Sequence, residues 1–122
     1  MKLQSIMISP NEKKKYTAIF ILDNGKEKMV HFGQKGYSDF TQHHDENRKS
    51  AYLERHEKRE NWDNPLTAGS LSRWILWNKK SLIASIYDFK DRYPMHKEFV
   101  HYLNEIYVYL YIHHMNFLKN YS

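Results

Sequence analysis

Three short apolar runs open the chain, and their spacing predicts a sheet. Residues 3–9 read as a first strand, and the polar link PNEKKK separates it from residues 16–22 (YTAIFIL) and 26–32 (KEKMVHF). In YTAIFIL, Tyr16, Ala18, Phe20 and Leu22 alternate with Thr17, Ile19 and Ile21, so both faces of that strand are apolar. One face is expected to support helices, and the other is either partly covered or offered to a partner. The segment Asp23-Asn24-Gly25-Lys26 is a hairpin signal, because Asn-Gly accepts the positive φ angles of a tight turn. Residues 3–32 are therefore expected to form a small antiparallel meander.

Gly33 and Gly36 bracket a turn, and beyond it the period becomes helical. In DENRKSAYLERHEKRE, Asp45 is a credible N-cap and Tyr52, Leu53 and His56 are the inward positions. Five acidic and five basic side chains between 45 and 60 make this helix balanced, with pairs such as Glu54 to Lys58 on a solvated face. After a structured loop over 61–69, Ser70 or Thr67 caps LSRWILWNK, where Leu71, Trp74, Ile75 and Asn78 share one side. Ser81 caps the next helix, with Leu82, Ile83, Ile86 and Phe89 at core spacing. Pro94 suits the first turn of a last helix over 95–119, about 35 Å long at 1.5 Å per residue. Phe99, Leu103, Ile106, Leu110 and Phe117 repeat along it, with His113 or His114, and mark it as an interface for a second copy or another protein. The fold class is α+β, a small three-stranded antiparallel sheet followed by about four helices. Residues 1–93 form the main domain and 94–122 a C-terminal helical extension packed on it or on a partner.

Composition narrows the function classes. With 122 residues the chain has the size of one domain. A hydrophobic fraction of 41%, with ten tyrosines and six phenylalanines, is too rich for a disordered chain. The net charge of +5 is mild, drawing polyanions without requiring them. The absence of cysteine removes disulfides, thiolate catalysis and cysteine-ligated zinc. The longest apolar stretch, IYVYLYIHHMNFL, has 13 residues, against about 20 needed for a membrane span. The first ten residues hold no continuous apolar core, which argues against a signal peptide and for an intracellular location.

The densest run of specific residues lies between His31 and Asn78 and contains all three tryptophans. Tyr37, Asp39, Arg48, Tyr52, Arg55 and His56 are candidates for one polar cluster. On a nucleic-acid reading the arginines and Lys35 contact phosphates while an aromatic ring stacks on a base. The competing account pairs Asp39 with an arginine and uses the tyrosines to close the sheet–helix junction. Trp62, Trp74 and Trp77 with Arg73 could stack bases, and core packing is the favoured account. Asn61, Asn64 and Thr67 are expected to satisfy backbone groups in their turn. Gly33, Gly36, Pro65, Gly69 and Asn78 join them as shape-setting residues.

His43, His44, Asp45, His56, His113 and His114 are suitable metal-ligand types, but adjacent histidines rarely converge on one ion and no HExxH is present. No metal or cofactor is expected. Neither a phosphate-binding glycine loop nor a nucleophile elbow is present, so the expected function is non-enzymatic.

The NGK hairpin, VHFGQKGYSDFT, the set Arg48, Tyr52, Arg55 and His56, and ENWDNPLTAGSLSRWILWNK together resemble a family of small uncharacterised proteins of large nucleocytoplasmic DNA viruses. The resemblance covers roughly residues 14–93. Lys80 stands where the family usually has proline, and the final 29 residues depart from the pattern. The resemblance implies a viral protein of the infected cell, a virion component or nucleic-acid-associated factor, and it supplies no catalytic residue. A structural or interaction protein is therefore expected, with a viral protein or a second copy as partner. The alternative is a direct DNA- or RNA-binding module using Lys13, Lys14, Lys15, Lys35, Tyr37, Arg48, Arg55 and Arg73.

Overall fold

The computed structural model describes residues 1–94. The expected long helix and its interface residues Phe99, Leu103, Ile106, Leu110 and Phe117 lie outside the described residues, as does the extension beyond Pro94. Strands β1 (Lys2–Ile8), β2 (Lys14–Ile21) and β3 (Glu27–Gln34) form an antiparallel sheet in the order β1-β2-β3. Helices α1 (Phe40–His43), α2 (Glu46–Glu57), α3 (Ala68–Leu71) and α4 (Leu82–Arg92) follow, so the fold is α+β as the hydrophobic pattern predicts.

The alternation in β2 sorts its two faces. Ala18 and Phe20, with Leu3, Val30 and Phe32 from the flanking strands, are buried beneath the helices and meet Leu71, Ile75, Leu76 and Phe89 in one core. Each fully buried Phe contributes roughly 2–3 kcal/mol of transfer free energy, so Phe20, Phe32, Phe40 and Phe89 dominate the apolar stabilisation. On the opposite face Thr17 is 1% exposed, and its hydroxyl donates to Ser9 Oγ (2.9 Å) and lies 2.6 Å from His31 Nδ1. Met7 and Met29 stand exposed on that side.

The β2–β3 turn departs from the two-residue form that Asn-Gly favours. Gly25 N–H donates to Leu22 C=O, Leu22 N–H donates to Lys26 C=O, and only Gly25 has positive φ (+82°). Asp23 adds a turn residue, giving a three-residue loop in which glycine alone takes the left-handed position.

Asp45 caps α2 by accepting from the Asn47 and Arg48 N–H groups, as its position suggests. No residue of α2 is fully buried. The expected Glu54–Lys58 pair is not among the ion pairs of the described residues. Thr67 caps α3, accepting from Ser70 N–H, while Ser70 is buried and donates its hydroxyl to Trp62 C=O at 2.9 Å. Beyond Leu71 the chain widens into one π-helical turn, Ser72–Leu76, closed by Trp77 N–H on Ser72 C=O at 3.0 Å. The wider turn allows the consecutive residues Ile75 and Leu76 both to enter the core.

Ser81 caps α4 through Ala84 N–H. Phe89 is buried as expected, but Ile83 is 66% exposed. Ser85 takes the inward position instead, where its hydroxyl accepts the Lys79 N–H at 3.0 Å. Trp74, expected in the core, is only half-buried and packs against it.

Candidate functional site

The end of β3, the C-terminal half of α2 and the π-helical turn enclose a cleft of about 480 Å³. Its position follows from three local requirements. Gly33 lets Leu76 approach the sheet, since a Cβ there would sit 2.8 Å from Leu76 Cδ1. Gly36, at φ +92°, turns the chain so that Tyr37 stands 66% exposed at the rim. Asp39 caps α1 in a reciprocal box with Gln42, fixing where the chain re-enters the fold.

Asp39 is 2% exposed and accepts from Thr41 N–H, the Thr41 hydroxyl and Lys15 Nζ, the last at 2.7 Å. Its ionic partner is thus a lysine of β2 and not the expected arginine. Lys15, placed among the candidate phosphate contacts, spends its ammonium on Asp39 and Gln42 Oε1. This pair locks the sheet to α1, because neither side chain has much access to water.

Aromatic rings line the inner wall. Trp77 and Tyr52 stack with centroids 4.2 Å apart and planes 5° from parallel, and Tyr52 stacks on His56 at 4.0 Å. His43 also approaches Trp77, at 5.3 Å and with its ring tilted by 54°. Burial, then the nearby Glu60 carboxylate, pushes the Tyr52 phenol above its ordinary pKa. Burial, then the charge of Arg48, holds the His43 imidazole below its ordinary value. The geometry agrees: His43 Nδ1 accepts the Asp45 N–H, and the buried Nε2 has no hydrogen-bond partner.

Glu60 organises the far wall. Its carboxylate pairs with His56 Nδ1 at 3.0 Å and accepts from Trp62 Nε1 at 2.8 Å. The carboxylate lies against Gly69, where any Cβ would come 2.8 Å from its carbon. A side chain at Gly69 would thus displace the Glu60 carboxylate from its present position. The Trp62 carbonyl in turn receives three donors, Ser70 Oγ, Trp74 Nε1 and Tyr93 Oη. Asn61 and Asn64 accept from Asp63 and Leu66 N–H groups, the turn role expected of them. Pro65 is half-buried in the same loop.

The basic candidates divide. Lys13, Lys14 and Lys35 gather beside Gly36, with Lys35 N–H donating to Lys13 C=O, and Lys14 and Arg55 also line the cleft. Arg48 is exposed on α2, seven residues before Arg55 on the same helical stripe, and does not line the cleft. Arg73 is not available: its Nη1 donates to Trp77 C=O at 2.9 Å, and its guanidinium lies over Trp74 (4.1 Å) and Trp62 (5.4 Å). Burial and the neighbouring Arg92 charge depress its pKa. Arg92 covers Trp74 too, at 3.8 Å, so that ring serves as a packing platform for two arginines. Asn78 is buried, donating to Asp88 Oδ2 and receiving Lys49 Nζ on its carbonyl, which ties α2 to α4.

Sequence reasoning missed Glu60 and Lys49. The signal for Glu60 was its i+4 spacing from His56, which persists just past the end of α2. Among the described residues no group of three or more His, Asp or Glu side chains is placed to hold a metal ion, and no helix is long and apolar enough to cross a membrane.

The comparisons bear on half of this cleft. Over residues 5–56 the chain is similar to a family of unknown function, DUF5754. That span holds β2, β3, α1 and most of β1 and α2, hence Gly33, Tyr37, Asp39, Tyr52, Arg55 and His56. The wall that carries Glu60, Gly69 and Trp77 lies beyond it. No significant match to a curated protein or to a solved structure is found.

Proposed function

We propose that this is a non-enzymatic interaction protein of a large DNA virus, working in the infected cell and carried in or on the virion. The observation that supports it is how the cleft's titratable groups are used. Asp39 is committed to Lys15 and to a helix cap, and Glu60 to His56 and Trp62. What remains accessible is shape, an exposed tyrosine and cations that make no ion pair among the described residues, which suit recognition better than bond making. The partner is a viral protein or a second copy of the chain. A tagged wild-type protein and an Arg55→Glu variant, recovered from infected cells and from virions, test this reading. The variant is expected to lose the wild-type partner, and an unchanged partner set would refute the cleft as the recognition surface.

A second reading, direct binding of DNA or RNA, is favoured by the grouping of Lys13, Lys14 and Lys35 next to Arg55 around one opening. Phosphate binding by these cations must weaken steeply with salt as counterions are released. Neutralising Lys14 and Arg55 together should remove most of that dependence.

A further inference from the structure

The cleft is the middle of a longer groove. At one end it shares Lys14 and Gln34 with a shallow depression between the β1–β2 link and the Gly36 turn, where Lys13 and Lys35 lie. At the other it shares Arg55, His56 and Glu60 with a depression over the last turn of α2, lined by Lys58 and Arg59. Shared lining residues thus join the three sections, from the β1–β2 link to the last turn of α2.

Charge along this path is one-sided once internal pairs are removed. The carboxylates of Asp39 and Glu60 are held by Lys15 and His56. Among the described residues Lys13, Lys14, Lys35, Arg55, Lys58 and Arg59 make no ion pair, and the acids left to oppose them are Glu12, Glu54 and Glu60, whose partner His56 is charged only when protonated. Six cations against three carboxylates give the groove a positive surplus that a balanced count over α2 conceals. Within the same groove Tyr37 offers a ring that is 66% exposed, beside the half-buried Tyr52–His56 stack.

We infer that this groove binds single-stranded nucleic acid, its cations following the phosphates and Tyr37 stacking on a base. The inference rests on the second reading above and specifies its ligand. A polyanion alone would account for the cations but not for a solvent-facing ring among them. A duplex would not account for the ring, because its base faces are closed by stacking. Helix α2 does not offer the alternative of a uniformly basic surface for a major groove, since it carries mixed charges on its exposed side. Cationic groove and stacking ring together are the chemistry by which strands are held without sequence readout.

The test uses the full chain and a labelled oligothymidylate of about twelve nucleotides, with a duplex of equal length and inorganic polyphosphate as comparisons. Fluorescence anisotropy at two salt concentrations should show the strand bound at least about tenfold tighter than the duplex, with a log–log salt slope approaching about −4 if all six cations contact phosphate. Tyr37→Ala should weaken strand binding about tenfold while leaving the unfolding midpoint unchanged, and Tyr37→Phe should bind as the wild type does. Polyphosphate binding, where it occurs, should be indifferent to Tyr37. Equal affinity for duplex, or a Tyr37→Ala variant that binds the strand normally, overturns the inference. So does a complete lack of strand binding at about 50 mM salt. That last result would leave the protein-interaction reading intact, because that reading stands on the partners recovered from infected cells.

Discussion

Replacing Gly33 by alanine tests the packing that forms the cleft. Two penalties act at this position. The backbone sits at φ +79°, where an L side chain costs about 1–2 kcal/mol, offset by a few tenths to 1 kcal/mol from the stiffer unfolded chain. The new Cβ would also lie 2.8 Å from Leu76 Cδ1 and 3.2 Å from Lys15 Cβ. Leu76 is 2% exposed and closed in by core residues, so it cannot simply rotate away. Overpacking of this kind costs about 1–3 kcal/mol. The total is about 2–4 kcal/mol of lost stability. Gly36 provides the control, because it has φ +92° but nothing within 4 Å of the added Cβ. Gly36→Ala carries only the backbone penalty, about 1 kcal/mol. Urea unfolding of both variants, with the m-value checked for constancy, measures the two costs on one scale. If Gly33→Ala proves no worse than Gly36→Ala, the close approach of Leu76 does not limit the fold and the account of Gly33 is wrong.

Three further outcomes follow from contacts described above. Asp39→Asn should destabilise by about 2–4 kcal/mol in the same assay, since it strands Lys15, which has only 14% side-chain exposure; a loss under 1 kcal/mol would mean the pair is dispensable. Trp74→Ala should cost about 2–3 kcal/mol, less than the 3–5 typical of a fully buried large aromatic, because the ring is half-buried between arginines. The His43 imidazole, whose pKa is depressed by burial, contributes stability that is complete above about pH 6.5 and declines as the pH falls through its lower folded-state value. Unfolding midpoints between pH 7 and pH 5 should therefore decline less in His43→Gln than in the wild type, and an equal decline would assign the effect to other histidines.

The sheet and the caps were legible because they depend on local chemistry. Alternation in YTAIFIL, Asp45 ahead of its helix, and Thr67 and Ser81 at helix starts each act within a few residues. What the sequence concealed depends on partners distant along the chain. Nothing near Lys15 signals that its ammonium meets Asp39, 24 residues away. Ile83 looks like core until the π-helical turn and the Lys79–Ser85 bond set the rotation of α4, so that Ser85 faces inward. Arg73 carries the composition of a phosphate contact but is captured by two tryptophans and a carbonyl. Of the cleft, the residue list was largely readable. The pairing that leaves Lys14 and Arg55 free, while removing Lys15 and Arg73, was not.

The parallel pair of Tyr52 and Trp77 gives the molecule an optical handle. Two rings stacked with centroids 4.2 Å apart and planes nearly parallel couple their electronic transitions, so the near-ultraviolet circular dichroism of the folded protein should carry a signal from this one contact. Trp77 also borders the groove, whereas Trp62 and Trp74 lie with their faces against arginine. Emission from the three tryptophans thus divides into a component that senses the cleft and components that sense the helical packing. Occupancy of the groove can be followed without a label, by light absorbed and returned from a pair of rings that the fold itself has set side by side.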